Sequence, residues 1–252
     1  MNSGKRILAG IVFAAACLAA AENYESKGFS VQFSPSGIIR NLSYAGVPLS
    51  NSISLVGEYK RTREEPKYDS HFYQTWDYAG KAVFQKNGDA MTVTVNSTLS
   101  NAGKKNGVAY SIRYDLTPNR ITGSFEVRQN TVLHTQKDIF DAQIAMLPSY
   151  FGRGVKAVAA DGQESLSLIP GTFNPKYRLQ GTSITLSTGK GVLLTLSAGK
   201  DTFIDYMDPR AWGGKNFIFR IHPRKEWSSK LVAYPAGTVW KWDFTLSCAP
   251  EQ

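Results

Sequence analysis

The chain has three histidines, and each stands among groups that could put an imidazole to chemical use. In "YDSHFYQTWDYAGK", residues 68–81, strand alternation sets His71, Tyr73, Thr75 and Asp77 on one face and Phe72, Gln74, Trp76 and Tyr78 on the other. His71 and Tyr73 are the candidate bases of that polar face. A base of this kind abstracts a carbon-bound proton in a β-elimination, provided a cation or amide neutralises the adjacent carboxylate. In "FRIHPRKEW", Arg220 and His222 alternate against Phe219 and Ile221, which makes a carboxylate clamp beside a proton donor. The competing reading of both faces is a strand whose polar side simply meets solvent. His134, in "QNTVLHTQKDIF", is a candidate acid or a histidine held by a backbone carbonyl, and Asp138 with Asp141 frames a short turn.

A fourth stretch, "FIDYMDPRAWGGKNFIF", carries aromatic and ionic groups between two apolar runs. Residues Asp205 to Asn216 read as a long connection. Tyr206 and Trp212 offer flat rings for the C–H faces of a sugar, while Arg210, Lys215 and the nearby Arg220 offer donors to hydroxyls or carboxylates. Gly213-Gly214 would allow close backbone approach. The alternative is a packed loop with Trp212 as its own plug. Neither a metal-ligand spacing, a phosphate-cradling glycine loop nor a serine nucleophile elbow is present, so no metal and no cofactor is expected.

These groups need a frame, and the frame reads as strands. Period-two alternation dominates after residue 28. "VAYSIRYDL" and "ITGSFEV" flank Pro118-Asn119, and pairing Leu116 with Ile121 sets Tyr114 on Gly123, Ile112 on Phe125 and Tyr110 on Val127. The opposite face gathers Arg113, Asp115, Glu126 and Arg128. In "AVFQKNGDAM", Asn87-Gly88 signals a two-residue turn that sets Phe84 on Met91 and Lys86 on Asp89. Further strands are expected at 29–33, 38–44, 53–59, 72–78, 155–159, 165–169, 183–187, 192–197, 217–222 and 239–247, while "QKDIFDAQIA" is ambiguous between strand and helix. The expectation is all-β, a large antiparallel β-sandwich, with few or no helices apart from the leader.

That leader is "MNSGKRILAGIVFAAACLAAAENYES". Lys5 and Arg6 precede an apolar stretch, and Ala19-Ala20-Ala21 offers a cleavage site, so residues 1–21 read as a signal peptide and 22–252 as a single domain. Secretion or a periplasmic location follows, with lipid attachment at Cys17 as a lesser alternative. No later stretch is long and apolar enough for a transmembrane helix. Cys248 then stands as a small buried hydrophobe without a disulfide partner. The formal net charge is +9, of which the leader carries Lys5 and Arg6. The basic balance favours anionic partners, or serves solubility alone. For an exported chain, nucleic acid is not the expected partner; an anionic polysaccharide is.

The element order resembles the β-supersandwich of the galactose mutarotase-like superfamily. Its opening strand–Gly–strand motif is similar to "FSPSGIIRNLSYAGVPLS", its central hairpin to "YSIRYDLTPNRITGSFEVRQN" and its close to "LVAYPAGTVWKWDFTLS". The resemblance implies that His134 holds the position of the general acid of sugar mutarotases. Glu226 does not match the motif of the base, so mutarotation is not implied. The expected function is carbohydrate recognition, with binding or processing of an acidic polysaccharide. If the chain is an enzyme, the resemblance implies a polysaccharide lyase or another glycoside-processing type. The alternative is a structural or assembly protein of the bacterial envelope without a small ligand.

Overall fold

A computed structural model describes residues 22–62, 68–74, 80–99, 108–130, 132–135, 137–151, 155–159, 165–168, 173, 179–223 and 232–251. At 58–62, 68–74, 99, 133–135, 137–139, 151, 155–159, 165–168 and 232 the description covers the backbone alone.

The strands are β1 (Glu22–Glu25), β2 (Phe29–Phe33), β3 (Ile39–Tyr44), β4 (Val47–Thr62), β5 (Tyr68–Gln74), β6 (Lys81–Asn87), β7 (Ala90–Leu99), β8 (Val108–Thr117), β9 (Arg120–Gln129) and β10 (Leu133–Thr135). They continue as β11 (Lys137–Met146), β12 (Val155–Ala159), β13 (Ser165–Leu168), β14 (Gln180–Gly181), β15 (Ser183–Ser187), β16 (Val192–Ala198), β17 (Thr202–Met207), β18 (Phe217–Pro223), β19 (Val232–Tyr234) and β20 (Val239–Pro250). Helical structure among the described residues is confined to 3-10 turns at Pro148–Phe151 and Pro209–Trp212. The all-β expectation holds.

Two antiparallel sheets carry the architecture. The first runs β1-β2-β3-β4-β11-β18-β17-β14, with β5 added beside β4; the second runs β13-β12-β15-β16-β20-β9-β8-β7-β6. Their facing sides bury one continuous apolar core, from Phe29, Phe140 and Phe219 on the first sheet to Tyr114, Phe125 and Phe244 on the second. Alternation along β18 decides its faces: Phe217, Phe219 and Ile221 are buried in the core, while Arg220 and His222 point to the outer side. Each fully buried phenylalanine contributes about 2–3 kcal/mol, so reversing such a strand is prohibitive.

The β8–β9 hairpin has the expected register, including Leu116 on Ile121 and Tyr110 on Val127. Its outer face carries the charges, now paired: Arg113 with Asp115 at 2.7 Å, and Glu126 with Lys241 at 2.9 Å and Arg128 at 3.6 Å. The β6–β7 turn corrects the expectation. Asn87 pairs Ala90, Lys86 pairs Met91 and Phe84 pairs Val93, so Gly88-Asp89 forms the turn. Gly88 takes a left-handed φ of 59° at the first turn position, where glycine alone is free of strain. "KDIFDAQIA", residues 137–145, lies in β11, an interior strand of the first sheet. The run ending at Ile204 also continues through Asp205 to Met207, so Asp205 and Tyr206 belong to a strand rather than a connection. Cys248 is buried as expected, and burial pushes its thiol up to about 12.

One close approach ties the sheets together. Phe29 N donates to Pro118 O at 3.1 Å, at the turn of the β8–β9 hairpin. A Cβ on Gly28 would lie 1.8 Å from that same backbone oxygen. Gly28→Ala is therefore expected to destabilise the protein by about 3 kcal/mol through forced separation, measured by urea denaturation; a cost below about 0.5 kcal/mol would contradict this contact.

Candidate functional site

The outer face of the first sheet gathers a cluster of ionisable groups from β11, β17 and β18. Register places Asp205 directly across from Arg220, and Phe203 across from His222. β11 joins the other side of β18 with Gln143 across from Arg220 and Ala142 across from Ile221. Alternation then gives Asp141, Gln143, Arg220, His222 and Asp205 the outer side, because Ala142, Ile144, Ile204, Phe219 and Ile221 are in the core.

Arg220 grips Asp205 with two parallel bonds, Nε to Oδ1 at 2.7 Å and Nη2 to Oδ2 at 2.6 Å. His222 Nε2 lies 3.5 Å from the same Asp205 Oδ2. Its Nδ1 is 3.0 Å from Pro223 O, a carbonyl that only a ring N–H can satisfy. The Phe203 ring lies alongside the imidazole, with centroids 6.4 Å apart. Burial opposes charge on Asp205, yet the bonds from His222 and Arg220 outweigh it and hold its carboxyl below the usual carboxylate range. Burial likewise opposes the imidazolium, but Asp205 and the Pro223 carbonyl raise His222 above its ordinary value.

Asp141 behaves differently. It is 2% exposed in the middle of a strand, and its Oδ1 has no hydrogen-bond partner among the described residues. Burial pushes its carboxyl up to about 7, against the opposing pull of Arg220, a bond from Gln143 and His222. A buried acid that changes charge near neutrality, beside an imidazole and a fixed ion pair, is equipped to exchange protons. Among the described residues no group of three or more His, Cys, Asp or Glu is placed to hold a metal ion.

Of the residues expected from sequence, His222 and Arg220 come together here. His71 and Tyr73 lie on β5, in register with Tyr59 and Gly57, and His134 lies on β10 opposite Ala233; their side chains fall outside the description. Tyr206, expected to stack on a sugar, instead has its ring in the core against Phe217 and Phe219 and donates its hydroxyl to Asp208 at 2.8 Å. Arg210 is engaged by Asp208 through Nε at 2.7 Å and Nη2 at 2.6 Å. Trp212 is not a plug, being 78% exposed, and Lys215, three residues on, is exposed as well.

Asp141, Gln143 and Asp205 were missed. The sign was present in "DIFDAQIAM": read as a strand, it puts Phe140, Ala142, Ile144 and Met146 on one face and Asp141 and Gln143 on the other. The frame of Asp138 and Asp141 as a turn is overturned by β11, which runs through both.

No family model and no curated protein sequence matches this chain. Solved structures do match by fold. A galactose 1-epimerase from Lactobacillus acidophilus NCFM superposes with a TM-score of 0.60 at 10% identity, over 90% of this chain and 93% of that one. A galactose mutarotase-like protein from Lactobacillus casei ATCC 334 gives 0.58 at 10% identity, over 91% and 100%. An alpha-mannosidase from Enterococcus faecalis V583 gives 0.58 at 8% identity, with 91% of this chain covering 29% of that larger one. Two packed antiparallel sheets and these superpositions show that this chain shares its fold with the galactose 1-epimerase and galactose mutarotase-like structures.

Proposed function

We propose that this is an exported carbohydrate-recognising protein, and that its saccharide lies against the outer face of the first sheet at Asp205, Arg220 and His222. The observation that carries the reading is the ionisable cluster itself, a partly buried set of charges that contributes nothing to the apolar core and faces away from it. The fold supports a sugar ligand, since the similar structures above are named for sugar chemistry. An anionic polysaccharide fits best. Arg220 brings a fixed cation to the cluster, Asp205 holds His222 above its ordinary value, and the chain has a formal net charge of +9, two units of it from Lys5 and Arg6 of the leader. The leader of residues 1–21 supports export.

The secreted chain and its His222→Gln variant, applied to a glycan array, test this. Retention of uronate-containing glycans by the parent and their loss by the variant is the expected result. No retained glycan would overturn the reading. Ultraviolet absorbance of an unsaturated product from a retained uronate would add lyase activity, and its absence would leave binding alone.

A further inference from the structure

Trp212 costs the protein something to display, and the turn beneath it is built to keep it displayed. Asp208 accepts four hydrogen bonds: from Tyr206 Oη at 2.8 Å, and from Arg210 N at 3.1 Å, Nε at 2.7 Å and Nη2 at 2.6 Å. The Asp208 and Arg210 side chains are only 5% and 10% exposed, so this pair is shielded from water and is worth more than a surface bridge. Pro209 opens the 3-10 turn. Gly213 closes it at a left-handed φ of 84°, where its N–H donates to Arg210 O at 3.2 Å, and Gly214 N donates to Pro209 O at 3.0 Å. The result is a braced turn whose indole remains 78% exposed.

The surroundings of the ring suit one occupant. A protein partner would require a contiguous apolar surface around its anchor, yet Trp212 is the turn's one large exposed hydrophobic residue. Its exposed neighbours are Ala211, Gly213, Gly214 and Lys215. Apart from its chain neighbours, no atom lies within 4 Å of where a Cβ on Gly213 would stand. A single flat exposed ring, with an exposed lysine three residues along the chain, matches the C–H face of a pyranose that bears an acidic substituent. The turn also joins β17 to β18, the two strands that carry Asp205, Arg220 and His222. Asp205 stands three residues, roughly 10 Å of extended strand, before Asp208, where the turn that carries Trp212 begins.

We infer that Trp212 is a second saccharide contact, a stacking platform beyond the ionic cluster. The ligand is accordingly a polymer or long oligomer of acidic sugar that lies along the β17–β18 hairpin, rather than a free monosaccharide. This inference rests on the carbohydrate reading above.

Calorimetric titration with a ladder of uronate oligosaccharides, from monomer to long oligomer, tests it on the parent chain, Trp212→Ala and Trp212→Phe. Affinity of the parent should climb with oligomer length. Trp212→Ala should bind the monomer as the parent does and lose roughly tenfold on long oligomers, with most of that regained in Trp212→Phe. Equal affinity of parent and Trp212→Ala at every length would overturn the platform and leave the cluster reading standing. A loss independent of length, or an indole that responds to anionic phospholipid vesicles but not to oligosaccharide, would also overturn it. Absence of saccharide binding by any of the three proteins would overturn both proposals.

Discussion

Asp141→Asn is expected to raise stability at pH 8 and to leave it nearly unchanged at pH 4. The carboxyl of Asp141 goes from 3.8 in the unfolded chain to about 7 in the folded one. The folded state therefore holds a proton that the unfolded state releases between those values. Stability tied to this group is complete below the unfolded value, falls as pH rises toward 7, and is flat above. The shift corresponds to about 4 kcal/mol lost across that window. Asparagine keeps the shape and carries no charge at any pH, so it removes the loss. His222 acts in the same sense: its raised value stabilises below its ordinary range, and the benefit disappears as pH rises through the folded value. Asp205, held low, acts in reverse, with stability present above 3.8 and lost as pH falls below it. Maximum stability of the parent is expected on the acid side of neutrality. Urea denaturation at pH 4, 6 and 8 measures it, and parallel pH profiles of the parent and Asp141→Asn would refute the placement of Asp141.

Asp205→Ala should cost about 3–5 kcal/mol near pH 6, because it strands two cations instead of deleting a neutral contact. The Arg220 and Asp205 side chains are 16% and 20% exposed, and His222 is 18% exposed, so water replaces the lost carboxylate poorly. The same variant removes the principal cause of the raised His222 value. In a nuclear magnetic resonance titration, the imidazole should move down in pKa. Asp205→Asn keeps acceptor oxygen for Arg220 and should cost less. A cost below 1 kcal/mol, ordinary for a surface bridge, together with an unmoved imidazole, would show that Asp205 does not organise the site.

How much of this was legible before the fold depends on the range of each signal. In the β8–β9 hairpin every expected pair is observed, because a short turn joins partners whose alternation agrees on one face. At Asn87-Gly88 the signal located the turn but not its centre. Both Asn-Gly and Gly-Asp are acceptable turn pairs, and cross-strand packing selected Phe84 on Val93. Arg220 and His222 were legible as neighbours on one strand face. Their carboxylate partner is not, since the local sequence places Asp205 in a connection, and only pairing with β18 shows that β17 extends through it.

β11 is the sharper case. "KDIFDAQIAM" contains both helical and strand periodicities, and local propensity does not decide between them. The fold decides, by inserting this segment between β4 and β18, where it must supply hydrogen bonds to both neighbours. That insertion turns Asp141 from a surface carboxylate into a buried one.

The amino-acid sequence by itself determined the class of fold and the inward face of most strands, because alternation of apolar residues is a local pattern that hydrophobic burial rewards wherever the partner lies. It also determined which residues could carry charge on the outer face. Tertiary structure alone decided that β11, β17 and β18 lie side by side, and hence that Asp141, Asp205, Arg220 and His222 meet. The physical reason is that proximity of distant strands and the protonation of a carboxyl depend on packing and desolvation, neither of which any short window of sequence contains.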